Sequence, residues 1–135
     1  MGTTSYKVDG FLNLDAAREA EFLPILAKLS EDLFPEDYGY DAASGEFWID
    51  GWGDRSSCSI DRIEATLAEL GTFATKAAKL YTRHDDSEYD LWVGPSKLAI
   101  IDGQIAEAQN EIGYLTRRLA QWLWEWELWR IQSTC

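Results

Sequence analysis

The sequence predicts an α+β fold: a small antiparallel or mixed β-sheet with two helices, followed by a long tryptophan-rich C-terminal helix. Short β-branched and aromatic runs are separated by glycine, proline and acidic turns. Two segments repeat apolar residues at helical spacing. From Asp102 onward apolar residues recur in alternating steps of three and four. With 135 residues, 46% hydrophobic and 13% aromatic, the chain suffices for one core and is too apolar for a disordered acidic tail. A single domain over residues 1–135 is therefore expected.

Taken in order, Ser5 to Asn13 alternates loosely through Tyr6, Val8, Phe11 and Leu12 and reads as a short strand. Asp15 is a suitable cap for a helix reaching about Leu33, in which Pro24 removes one backbone donor and predicts a kink or a restart. Pro35 to Gly45 reads as an acidic loop, and Glu46 to Trp52 as an aromatic strand. Ser57 or Ser59 opens a second helix bearing Ile60, Ile63, Leu67 and Leu70, with Gly71 placed just past its end. Leu80 to Arg83, Tyr89 to Val93 and Lys97 to Ile101 are predicted as three strands of a meander.

The last helix is expected to span residues 102–131. Ile105, Ala108, Ile112, Leu115, Leu119, Trp122, Trp126 and Trp129 form the a/d seam of a heptad, while Trp124, Leu128 and Ile131 lie roughly opposite. A helix apolar on both sides needs two surfaces to pack against. One is expected to be the sheet and the other a further element of the chain, a second copy or another protein. An Asp102-Gly103 hairpin, with 104–109 as another strand, competes with this reading.

The chain holds 24 Asp plus Glu against 12 Lys plus Arg, a formal net charge of −12. Such a field repels nucleic acids and anionic membranes and attracts basic protein surfaces. Cys58 and Cys135 are far apart and lack metal-ligand spacing, so neither a disulfide framework nor a zinc site is expected. No signal-peptide pattern or long apolar run appears, which predicts a cytoplasmic protein without a membrane span. Walker, dinucleotide-binding, Gly-x-Ser-x-Gly and His-Glu-x-x-His patterns are missing, which shifts expectation away from nucleotide-dependent and zinc enzymes.

Two constellations have the residue types for catalysis. His84 stands beside Asp85, Asp86, Glu88 and Asp90, suited to a general base or a metal, but a solvated hairpin turn explains it more simply. Asp50 and Asp54, close to Trp48 and Trp52, have the carboxylate-and-aromatic character of a sugar-cleaving site. Packing of the two tryptophans in the core is the simpler expectation there.

The acidic side chains gather in two clusters, Glu31, Asp32, Glu36, Asp37 and Asp41 in one and Asp85, Asp86, Glu88 and Asp90 in the other. Carboxylates spaced on a surface can imitate a phosphate backbone. The reading that joins these features is a non-enzymatic, cofactor-free protein-binding module that blocks a basic nucleic-acid-binding surface. Its expected contact residues are Glu36, Asp37, Asp41, Asp85, Asp86, Glu88, Trp124, Leu128 and Ile131. Viral anti-CRISPR and anti-restriction inhibitors are the general type, by analogy of size and charge. The alternatives are an assembly protein, homodimeric through its C-terminal helix, and a small carboxylate-dependent hydrolase.

Overall fold

The computed structural model describes residues 2–133, with side chains to Arg130. Five strands, β1 (Thr4–Asn13), β2 (Tyr38–Asp41), β3 (Glu46–Arg55), β4 (Ala78–His84) and β5 (Ser87–Val93), form one antiparallel sheet in the order β2-β3-β1-β4-β5. Three α-helices accompany it: α1 (Glu19–Ala27), α2 (Ser57–Gly71) and α3 (Lys97–Ser133). The fold is α+β, as the alternation of strand and helix signals predicts. The chain divides into two compact units at Ile101 and Asp102.

Period-two patterning gives the sheet one dry face. Tyr6, Val8 and Leu12 of β1, Phe47 and Ile49 of β3, Leu80 of β4 and Val93 of β5 are all buried. The stripe Ile60, Ile63, Leu67 and Leu70 of α2 and Phe22 of α1 complete this core. Phe22 meets Tyr40 and Phe73 edge-on, with ring centroids 5.3 and 6.0 Å away.

Four expectations need correction. Residues 97–101 are the first turns of α3 rather than a strand. Ser96 caps them, its Oγ accepting from the Ala99 N–H at 3.1 Å, so the helix starts five residues before Asp102 and 104–109 lie inside it. The segment Pro35–Gly45 is not all loop, because Tyr38–Asp41 pairs with β3 and places Tyr38 and Tyr40 against the core.

The segment from Asp15 to Leu33 is not one helix. Asp15 caps a single 3-10 turn, Ala16–Arg18, before α1; α1 runs through Pro24 and tightens into a second such turn, Lys28–Glu31. Gly71 ends α2 from inside rather than just beyond it. A Cβ there would lie 2.6 Å from that of Val93, so the glycine permits α2 to approach β5 closely.

Candidate binding surfaces

Ten positions of α3 from Leu98 to Trp129 lie on unbroken three- and four-residue steps, two more than the sequence signal at Asp102 revealed. No described residue after Ile101 is buried. The nine large side chains of this seam are between 44% and 67% exposed. Trp124 and Leu128, on the other side of the helix, are 64% and 38% exposed. Ile131 is helical, but its side chain lies outside the described residues, as does Cys135. At every described position both stripes face solvent.

The acidic residues are distributed across opposite edges of the sheet. Asp41 closes β2 at one edge, while Asp85, Asp86 and Glu88 belong to the β4–β5 hairpin at the other. Several of these carboxylates already have partners within the fold. Asp37 accepts from the Phe34 N–H at 3.0 Å and lies 4.0 Å from Arg55 Nη2. Asp41 accepts from the Ala43 N–H at 2.9 Å, and Asp85, in a left-handed backbone conformation, accepts from the Ser5 N–H at 3.0 Å.

Asp32 is turned inward and receives two hydrogen bonds from Arg62, at 2.7 and 3.1 Å, and one from Ser59 Oγ. The Arg62 guanidinium, joined by the Ser59 hydroxyl, holds its carboxyl below the usual range. Glu88 accepts from the Tyr81 hydroxyl; burial first and this bond second raise the Tyr81 pKa. Glu36, Asp41, Asp85, Asp86 and Glu88 are exposed, and Asp37 is partly covered.

The second face of the sheet is the one with polar and aromatic character. Trp48 and Trp52 stand on it, 36% and 69% exposed, which corrects their expected place in the core; Phe47 and Ile49 take the buried positions of the same strand. Trp48 lies over Gly39 of β2, where any Cβ would meet its indole Nε1 at 2.5 Å. A shallow depression of about 710 Å³ is lined by Lys7, Asp37, Asp50, Trp52, Tyr81 and Arg83. A neighbouring one of about 350 Å³ is lined by Lys7, Asp9, Phe11, Trp48, Ile49 and Asp50.

Asp50 therefore borders both hollows, whereas Asp54 lines neither. The carboxylate directly across from Asp50 is Asp9 of β1, set there by strand register, with Lys7 Nζ 3.6 Å from Asp9. Register is invisible in the local sequence, so Asp9 escaped the reading that paired Asp50 with Asp54.

His84 occupies the end of β4 rather than a solvated turn. Its Nε2 is 2.7 Å from Tyr89 Oη and 3.6 Å from Glu64, and its ring meets Tyr6 edge-on at 5.1 Å. Glu64 of α2 accepts from the hydroxyls of both Tyr6, at 3.0 Å, and Tyr89. Burial, followed by the Glu64 carboxylate, pushes both phenols far above their ordinary range. The group joins α2 to β1, β4 and β5. Among the described residues no group of three or more His, Cys, Asp or Glu is placed to hold a metal ion. No described helix is long and apolar enough to cross a membrane.

No protein-family model, curated protein or solved structure matches the chain.

Proposed function

We propose that this chain is a non-enzymatic protein-binding module that associates through α3, its acidic body serving in the most concrete case to block a basic, nucleic-acid-binding surface of a target. The observation that carries the reading is the exposure of every described side chain in a heptad seam nine steps long. Apolar rows of this length on a helix are a protein-binding signature, since large exposed patches mark interaction sites. Tryptophan, enriched among interface hot spots, accounts for three of the ten seam positions.

The body supports the target class. Nineteen of the 24 acidic residues and nine of the 12 basic ones precede Asp102, leaving it a formal charge of −10. Exposed Glu36, Asp41, Asp86 and Glu88 are available to steer a basic partner. The assembly role of α3 and the inhibitory role of the body are compatible, and a cytoplasmic setting suits both.

The test is capture from the native host with tagged wild-type protein and with two variants. Ile112→Glu with Leu115→Glu should abolish association through α3. Asp85→Lys with Asp86→Lys should slow capture of a basic target and reduce its salt dependence. Unchanged capture by both variants would overturn the reading. Loss of activity in a folded Asp50→Ala protein, with capture intact, would favour a hydrolase on the open sheet face.

A further inference from the structure

We infer that the occupant of the α3 seam is the α3 of a second copy of this chain, and that the two helices run antiparallel. This rests on the reading of α3 as an association element and goes on to identify the partner and its direction. The first argument is area. The three seam tryptophans alone expose on the order of 400 Å² of side chain. A standard stable interface takes about 800 Å² from each partner, and six further large aliphatic side chains of the seam supply more. The seam has enough surface for a stable pair without any help from the body.

The second argument is shape. The tryptophans are confined to the C-terminal third of the seam, and its N-terminal half contains only aliphatic side chains. An antiparallel pair with a positions facing d positions sets Trp129, Trp126 and Trp122 against Leu98, Ile101 and Ile105 of the second copy. Leu119 then fills the space left by Ala108. Each of these four layers combines a larger with a smaller side chain, and the central layer sets Leu115 against Ile112 of equal size, which keeps packing even along the helix. A parallel pair in register would stack three layers of paired tryptophans and leave Ala108 opposite Ala108 as a gap.

The third argument is charge. In the antiparallel pair Glu111 lies beside Arg118 of the second copy, and symmetry makes the contact twice. A parallel pair also finds favourable contacts, Lys97 with Asp102 and Glu125 with Arg130, so flanking charges permit either direction. The bodies do not. Each carries −10 and is joined to the N-terminal end of its helix. Parallel helices bring the two bodies to the same end, whereas antiparallel helices attach them at opposite ends of a seam about 45 Å long. That length exceeds by several-fold the screening distance of about 8 Å at physiological salt.

Sedimentation and light scattering on the full chain at micromolar concentration test the pairing. Wild-type protein should show twice the monomer mass. Ile112→Glu with Leu115→Glu should halve it while the denaturation midpoint of the body is unchanged, and the conservative pair Ile112→Leu with Leu115→Ile should restore it. Direction is read by oxidation in a Cys58→Ser, Cys135→Ser background. A mixture of Glu111→Cys and Arg118→Cys chains should yield the mixed disulfide. Linkage of Glu111→Cys to Thr116→Cys instead would show a parallel pair and overturn the direction. A wild-type monomer, trimer or tetramer would overturn the pairing. A monomer whose capture of another protein is lost in the Glu variant would refute only the second copy; a monomer whose capture is unchanged in the Glu and charge-reversal variants would refute the association reading as well.

Discussion

The residues up to Ile101 and those from Asp102 onward handle apolar surface in opposite ways. In the first unit period-two strands and a period-3.6 stripe on α2 face one another, so that Tyr6, Val8, Phe47, Leu67 and Leu80 are sealed from water. In the second, an equally regular period of three and four leaves Ile112, Leu119, Trp122 and Trp129 more than half exposed. Periodicity alone therefore tells which side of an element is apolar, and not what covers it. The first unit covers its own apolar surfaces, whereas the described apolar side chains of the second stay exposed.

The largest expected effect that sharpens this contrast is in the core. Phe47→Ala removes a fully buried ring and should cost the first unit about 3–5 kcal/mol, read as a lower urea midpoint. A body midpoint that does not move would mean that the sealed face is not what holds the unit together. Next is Glu64→Leu, which leaves the buried Tyr6 hydroxyl without its acceptor and should cost about 1–3 kcal/mol. Tyr6→Phe in the same background should recover part of that loss.

A smaller effect is expected from Asp32, whose folded pKa lies below its unfolded value. Its contribution is complete above the unfolded carboxylate pKa of about 3.9. It disappears as pH falls through the lowered folded value. Asp32→Asn should therefore narrow the difference in stability between neutral and acid solution, as followed by thermal melts across that range.

The smallest effect on body stability should come from Trp124→Glu with Leu128→Glu. Both sites are on the exposed helix, so the first unit should unfold at its wild-type midpoint, within about 0.5 kcal/mol. Loss of the body fold in that variant would erase the contrast between the two regions.

Elements whose signals are local were readable in the sequence. Ile60, Ile63, Leu67 and Leu70 announce α2, and the run Glu46-Phe47-Trp48-Ile49 announces β3. Elements decided by distant partners were not. The four residues Tyr38–Asp41 become a strand because β3 accepts them, and Lys97–Ile101, β-branched in part, become helix because Ser96 caps them. Glu64 had no local mark at all, since its meaning comes from Tyr6, 58 residues away. The acidic residues were legible as a charge, whereas the inward turn of Asp32 toward Arg62 depends on the packing of α2 against the preceding segment.

The central position of β1 has a kinetic consequence. Tyr6 pairs with Gly53 on one side and His84 on the other, so the middle of the sheet cannot be completed until chain segments far along the sequence return to it. Such non-local pairings must offset loop-closure entropy before they contribute, and they slow folding. The β2–β3 and β4–β5 hairpins, each closed by a short turn, need no such return. Refolding of the body should consequently be limited by the insertion of β1 between two preformed hairpins, with Val8→Ala slowing refolding more than a comparable truncation at Leu91 of β5.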